Sequence, residues 1–157
     1  MKLKGLIDED FINYKQASMF LIFPSCSFKC CIEAGCDICQ NMPLASSAVI
    51  EYNTEELVKR YLDNPITHSI VCGGLEPLDS FEELLKFINI LRTFVDDPVI
   101  IYTGYWKSEI EDKLNELKKY KNIIIKFGRF IPNKEKHYDE VLGVELANPE
   151  QYAEKIS

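Results

Sequence analysis

The sequence predicts an α/β fold, with a single domain spanning residues 1–157 and a mostly parallel sheet joined by crossover helices. Two observations lead to this prediction. Short apolar runs, typical of buried strands, alternate along the chain with amphipathic segments typical of helices. The chain has 157 residues, of which 46% are hydrophobic and 27% charged, a composition that suits one globular domain with a sizeable core.

Four apolar runs are the predicted strands. The first, residues 17–24, is an apolar run that ends at Pro24, as expected of a strand buried on both faces. The other three are residues 66–72, 98–102 and 122–127. Parallel strands need long crossover connections, and the segments between these runs are long enough to form helices.

Three helices are predicted between the strands, and each follows a polar residue with a glutamate three positions later, a pair that can cap a helix. These pairs are Asn53 with Glu56, Ser80 with Glu83, and Ser108 with Glu111. The first helix spans residues 54–63 and the second, which is the clearest, residues 80–94. The third ends in a pair of lysines, which suits a helix C-terminus.

Unusual segments follow the first three predicted strands directly. A loop rich in cysteine comes after the first strand, Gly73-Gly74 after the second, and Thr103-Gly104-Tyr105 after the third. In open α/β sheets, ligands bind beyond the carboxyl ends of the strands. The sequence therefore predicts that these three segments meet at one edge of the sheet and form a binding site.

Charge and hydropathy argue against two classes of partner. The net charge is −7, whereas a protein that follows a phosphate backbone usually has a basic face, so we expect no nucleic-acid partner. No apolar run is long enough to cross a bilayer, so we expect no membrane partner. The segment Met1–Asp8 becomes acidic before any long apolar stretch. It does not resemble a secretory signal, and a cytoplasmic location is expected.

Five of the six cysteines lie in one short loop, and they are Cys26, Cys30, Cys31, Cys36 and Cys39. Disulfide frameworks distribute their cysteines so that bridges close long loops. Clustered thiols indicate a metal site instead, and thiolates suit iron–sulfur clusters or zinc. The sixth cysteine, Cys72, stands apart and is interpreted as a buried apolar residue.

Two kinds of site fit these thiols. A four-iron cluster held by three thiolates leaves one iron open to a small-molecule ligand. Alternatively, four thiolates could surround a structural zinc ion in a tetrahedron. The zinc set would be Cys26, Cys30, Cys36 and Cys39.

The cysteine loop resembles that of the radical S-adenosylmethionine superfamily, whose signature is C-x3-C-x2-C. Cys26 and Cys30 have the first spacing, and Cys39 is followed by Gln40-Asn41 where the activating enzymes of anaerobic ribonucleotide reductase have Tyr-Asn. The resemblance implies a 4Fe-4S cluster on Cys26, Cys30 and Cys39, with Ile38 against the adenine of S-adenosylmethionine. It also implies a fold resembling a partial (β/α) barrel.

The loop departs from the family pattern in length. Eight residues separate Cys30 from Cys39, where the family has two. Cys31 could replace Cys30 as a ligand, and Cys36 could replace Cys39.

The segment Gly73-Gly74-Leu75-Glu76-Pro77 resembles the Gly-Gly-Glu/Asp-Pro element that holds the amino group of S-adenosylmethionine in this superfamily, with Leu75 inserted. The resemblance implies contacts from Gly73, Gly74, Leu75 and Glu76. Whether Glu76 or only the backbone makes them is left open. From the residues alone, glycine and proline here would also suit a plain turn.

Two later segments also resemble the reductase activases. Tyr102-Thr103-Gly104-Tyr105 is similar to their Tyr-Thr-Gly-Tyr segment, which implies that Thr103 and Gly104 face the ligand. Phe127-Gly128-Arg129-Phe130 is similar to an Asp-Gly-Arg-Phe-like segment. Arg129 is accordingly expected to meet a carboxylate of the cofactor, with a surface arginine beside a turn as the alternative.

The resemblance implies a function. The enzyme would take an electron from a flavodoxin- or ferredoxin-type donor and cleave S-adenosylmethionine reductively to a 5′-deoxyadenosyl radical. That radical would install a glycyl radical on a large partner such as anaerobic ribonucleotide reductase, and a chain of 157 residues suits a macromolecular substrate. Two other interpretations stay open: an iron–sulfur electron carrier and a zinc-stapled interaction module.

Overall fold

In the computed structural model, which describes all residues 1–157, the chain forms ten strands and five α-helices. The strands are β1 Lys2–Leu3, β2 Gly5–Asp10, β3 Ser18–Ile22, β4 Ile50–Glu51, β5 Ile70–Gly73, β6 Val99–Tyr102, β7 Ile123–Phe127, β8 His137–Asp139, β9 Val144–Leu146 and β10 Tyr152–Lys155. The helices are α1 Lys29–Ala34, α2 Met42–Ala45, α3 Thr54–Leu62, α4 Phe81–Leu91 and α5 Glu111–Leu117. Short 3₁₀ turns at Pro77–Ser80 and Lys107–Glu109 precede α4 and α5.

A six-stranded sheet in the order β10-β7-β6-β5-β3-β2 organises the chain. The four central strands β3, β5, β6 and β7 are parallel to one another, whereas β2 and β10 pair antiparallel at the two edges. This confirms the predicted α/β fold with a mostly parallel sheet. The four predicted strands are the four central ones, because only these are buried on both faces and therefore continuously apolar.

Helices α3, α4 and α5 cover one face of this sheet. Their apolar side chains share one core with alternate residues of the central strands, such as Met19, Leu21, Ile101 and Ile125. Cys72 belongs to this core and is fully buried, which confirms its interpretation as a small apolar residue. None of the helices is both long enough and apolar enough to span a membrane.

The other face of the sheet is covered by loops and by the β8–β9 hairpin. A second, smaller core there consists of Tyr14, Val71, Ile100, Ile124, Leu142 and Leu146. The Tyr102 hydroxyl closes this layer by donating a hydrogen bond of 2.6 Å to the Asn13 carbonyl. Side chains at alternate positions of β7 therefore point either into the helical layer or toward this second layer.

Two of the three predicted capping pairs are wrong. Asn53 caps α3 as expected and accepts a hydrogen bond of 3.0 Å from the backbone N–H of Glu56. Ser80 makes no capping bond to α4 because it already belongs to the preceding 3₁₀ turn, and Glu83 accepts from the N–H of Lys2 at 2.9 Å. Ser108 likewise lies inside a 3₁₀ turn.

The strand predicted over residues 66–72 begins later, at Ile70. Its first part runs beside the start of β3 and makes isolated hydrogen bonds with it. His68 N–H donates to the Ala17 carbonyl and Met19 N–H donates to the Ser69 carbonyl, both at 3.0 Å. The α-helix predicted over residues 80–94 ends at Leu91, after which the chain forms turns.

Candidate functional site

The carboxyl ends of the four central strands bring the unusual segments together, as the sequence predicts. The cysteine loop follows β3, Gly73-Gly74 ends β5, and Thr103-Gly104 follows β6. Hydrogen bonds connect these segments directly: Asn41 Nδ2 donates to the Gly74 carbonyl at 2.6 Å, and Gly104 N–H donates to Glu76 Oε2 at 2.8 Å. We call this edge of the sheet the rim.

Backbone N–H groups face the sulfur atoms of the three predicted cluster ligands. Phe28 N–H donates to Cys26 Sγ at 3.2 Å, and Phe130 N–H donates to Cys30 Sγ at 3.4 Å. Backbone N–H groups also act on the Cys39 thiol and oppose the rise in its pKa caused by burial. Such bonds stabilise thiolates and are among the features that tune iron–sulfur clusters. The donor set therefore fits this cofactor.

An unusual backbone conformation lies between the first two of these cysteines. Phe28 has φ of 52°, in the left-handed region that bulky residues rarely adopt. The same residue donates its N–H to Cys26 and precedes α1. Strained conformations of this kind persist where the surrounding structure holds them, often at ligand sites.

The three thiols are close enough to influence one another. Burial is the main cause that raises the pKa of Cys26 to about 12, and the nearby Cys39 raises it as well. Burial also raises the pKa of Cys39, and Cys30 adds to that rise. No three His, Cys, Asp or Glu side chains are grouped tightly enough to hold a single metal ion. In a four-iron cluster each thiolate binds a different iron, so its ligands need not meet at one point. Binding must displace the thiol protons.

The two additional thiols of the loop differ in exposure. Cys31 is 8% exposed and lies near enough to Cys39 to raise its pKa. Cys36 is exposed and follows Gly35, the C-cap of α1. Cys31 is therefore the better placed of the two alternatives to a predicted ligand.

Packing against β3 explains both glycines at the end of β5. Gly74 has φ of 79°, and a Cβ atom there would lie 2.6 Å from Ile22 Cγ2. A Cβ atom at Gly73 would lie 3.1 Å from the Phe20 ring. The next residue, Leu75, is buried at 7% exposure. The turn therefore brings bare backbone close to its neighbours, as glycine permits.

Glu76 is a structural member of the rim. Its side chain is 5% exposed, Oε1 accepts from the N–H of Leu78 at 3.1 Å, and Oε2 accepts from that of Gly104. Burial raises the pKa of Glu76 to about 7. These two hydrogen bonds, together with one from the Thr103 side chain, act in the opposite direction and lower this pKa. Thr103 itself is buried, and its hydroxyl accepts from Tyr105 N–H at 3.0 Å.

The raised pKa of Glu76 predicts a pH-dependent stability. Between its ordinary value of 4.5 and about 7, the folded chain retains a proton that the unfolded chain releases. The free energy of unfolding therefore falls as pH rises through this interval. Glu76→Gln is expected to remove this slope, worth about 3 kcal/mol at most. Urea unfolding of the cluster-free protein across the interval tests it, and parallel curves for both proteins would refute it.

Arg129 is buried in the rim and connects three elements. Its guanidinium binds Glu33 of α1 at 2.7 Å, Glu109 at 2.8 Å and the Gly104 carbonyl. The hydrogen bond from Arg129 lowers the pKa of Glu109 to about 2. The surface arginine considered as an alternative is wrong, because the side chain is 3% exposed. The carboxylates that it meets belong to the protein, and its buried Nε has no partner.

Ile38 lies half-buried in the cysteine loop, immediately before Cys39. Leu75, the other apolar residue predicted at the site, is buried in the glycine turn. The position of Ile38 relative to an adenine ring stays a prediction.

Some residues of the rim carry no recognisable sequence signal. Asp79 accepts hydrogen bonds of 2.6 Å from Ser27 N–H and from the Tyr105 hydroxyl, and so connects the cysteine loop to the rim. Neither Asp79 nor Glu109 belongs to a motif. Lys126 does have a signal, because it is a single charge inside the apolar run of β7.

Comparison with known families agrees with this site. The family described as 4Fe-4S single cluster domain matches residues 16–146, a range that includes every predicted site residue. No curated protein and no solved structure shows significant similarity to the chain. Because the match covers most of the 157 residues and contains the cysteine loop, the chain belongs to the 4Fe-4S single cluster domain family.

Proposed function

We propose that this iron–sulfur protein is a radical S-adenosylmethionine enzyme whose cluster is bound by Cys26, Cys30 and Cys39. The observation that carries the proposal is the pair of hydrogen bonds that join the cysteine loop to the glycine turn and the turn to Gly104. Packing against β3 requires Gly73 and Gly74, and it leaves their bare backbone at the same rim as the cysteine loop. A small ligand can approach such backbone closely.

When bound, the cluster and S-adenosylmethionine would supply a one-electron cleavage of the sulfonium that yields methionine and a 5′-deoxyadenosyl radical. The residues of this chain would bind and orient the ligand. Carbonyl groups of Gly73 and Gly74 each accept one hydrogen bond within the protein, at 2.9 and 2.6 Å. A carbonyl has two lone pairs, so each retains one for the ligand's ammonium group.

The other predicted residues have complementary roles in this proposal. Ile38 and Leu75 supply apolar surface for the adenine, and the Arg129 Nε–H is a buried donor without a partner that suits a carboxylate. Thr103 and Gly104 hold Glu76 in the rim. We assign Glu76 a positioning role, because both of its oxygens already accept backbone hydrogen bonds.

The proposal extends to partners. An electron donor of the flavodoxin or ferredoxin type would reduce the cluster, and a large glycyl-radical protein such as anaerobic ribonucleotide reductase would be the substrate. The patches of resemblance to the reductase activases support this choice. Two of them contact each other in the fold, since the Arg129 guanidinium donates a hydrogen bond to the Gly104 carbonyl.

A second candidate is an electron carrier whose cluster meets no nucleotide. One observation favours it: the charged groups of the rim, Glu76 and Arg129, are already paired within the protein. A site that only transfers electrons would show this internal pairing, because it has no ligand to recognise.

Anaerobic reconstitution with iron and sulfide distinguishes the candidates. The proposed enzyme is expected to release methionine and 5′-deoxyadenosine from S-adenosylmethionine under dithionite, and its cluster spectrum is expected to change when S-adenosylmethionine is added. S-adenosylhomocysteine, which has no sulfonium, is the matched control ligand. A loaded protein that neither cleaves the ligand nor changes its spectrum would contradict the proposal and support the electron carrier.

A further inference from the structure

Lys126 is a buried cation in the middle of the molecule. It lies on β7 opposite Tyr102 of β6, on the face of the sheet that also carries Ile124, and its exposure is 7%. Ile124, the one other residue of β7 that points away from the helices, is apolar. A lysine is almost never buried to this extent without a specific partner.

Within the protein this ammonium group has little compensation. Its Nζ donates one hydrogen bond of 3.1 Å to the Gly128 carbonyl, and no carboxylate lies within ion-pair distance. An ammonium group has three donors, so two remain available. The positive charge of Lys126 therefore has no compensating anion within the protein chain.

The neighbouring segments place this charge near the predicted cluster ligand Cys30. Gly128, which accepts its hydrogen bond, is two residues from Phe130, whose N–H donates to Cys30 Sγ at 3.4 Å. On the other side, the Lys126 carbonyl accepts from Thr103 N–H at 2.9 Å, and a Cβ atom at Gly104 would lie 3.4 Å from the same sulfur.

The ionisation of Lys126 agrees with this placement. Burial lowers the pKa of Lys126 to about 8, while Cys30 and Glu76 act to raise it. An anionic cluster bound to Cys30 would favour the charged form of Lys126.

We infer that Lys126 is a positioning residue whose buried positive charge raises the reduction potential of the cluster bound through Cys30. Reduction adds an electron, and a nearby cation in a medium of low dielectric constant stabilises the reduced state. Burial keeps solvent ions from screening the interaction. The inference rests on the cluster and on Cys30 as its ligand, and it does not depend on cleavage of S-adenosylmethionine.

The test is a redox titration of the loaded protein, followed by electron paramagnetic resonance. Lys126→Met keeps an unbranched side chain of similar length and removes the charge. At a fixed applied potential, the ratio of reduced to oxidised cluster is expected to fall about tenfold, which is about 59 mV for a one-electron couple. Lys119→Met is the matched control, because it also removes one positive charge, from a side chain that is 64% exposed. Its titration curve should coincide with that of the wild type.

Further measurements keep the outcomes distinct. The iron content and the thermal midpoint of each variant show whether it folds and loads, and Lys126→Arg, which restores the charge, should recover most of the potential. A Lys126→Met protein with a normal iron content and the wild-type potential would overturn the inference. A shifted potential in a protein that does not cleave S-adenosylmethionine would support the inference while contradicting the proposed function. A wild-type chain that takes up no cluster would overturn both.

Discussion

Replacing Cys30 with alanine is expected to prevent the chain from holding a 4Fe-4S cluster, and the same is expected of Cys26→Ala and Cys39→Ala. Each change removes one of three thiolates, and a cluster with only two protein ligands is bound too weakly to persist. Cys30 is the clearest case, because Phe130 N–H, from the segment that follows β7, donates a hydrogen bond to its sulfur. The measurement is iron and sulfide content with the visible spectrum after anaerobic reconstitution, and near-complete loss is expected.

The matched control is another cysteine of the same loop. Cys36→Ala removes an exposed thiol and should leave the cluster content unchanged. Cys31→Ala should also retain the cluster, although its burial makes a small loss of stability understandable. Loss of the cluster in either control, with retention in one of the three ligand variants, would replace the ligand set with one of the alternatives that the sequence left open.

Gly74→Ala is expected to destabilise the protein by about 2–5 kcal/mol. Two effects add. The backbone at position 74 has φ of 79°, which costs a residue with a Cβ atom about 1–2 kcal/mol. The new Cβ would also lie 2.6 Å from Ile22 Cγ2. That methyl group belongs to a β-branched side chain that is stiff at χ1, so β3 itself must shift. Urea unfolding of the cluster-free protein measures the loss.

Gly35→Ala is the control for the conformational part of this loss. Gly35 has φ of 69°, but a Cβ atom there would have no neighbour within 4 Å. Replacing Gly35 with alanine should therefore lower the free energy of unfolding only through the positive φ, by about 1–2 kcal/mol. If both variants lose the same free energy of unfolding, the close approach of the glycine turn to β3 has no energetic role.

The central strands and the site were predictable for the same physical reason. Strands buried on both faces must be continuously apolar, and β3, β5, β6 and β7 therefore stand out in the sequence. The edge strands β2 and β10 were missed, because an edge strand mixes polar and apolar residues and resembles a loop.

The helix starts were less predictable. The pair of Ser80 and Glu83 satisfies a local capping rule, yet the chain enters α4 through a 3₁₀ turn that Glu76 caps. Glu76 is also held by the N–H of Gly104, 28 residues further along the chain. A contact between residues so distant in the chain is outside the reach of a local capping rule, which is worth about 1 kcal/mol.

The sequence by itself determined that the cysteine loop binds metal and where in the fold the site lies. Clustered thiols have few uses other than binding metal, and residues that follow parallel strands share one edge of the sheet whatever the details of packing. Only the tertiary structure decided how the polar groups are used. It buries Glu76 and Arg129 within hydrogen bonds of the rim and places Lys126 near Cys30. Charge pairing and burial depend on contacts between residues distant in the chain, and no local pattern encodes them.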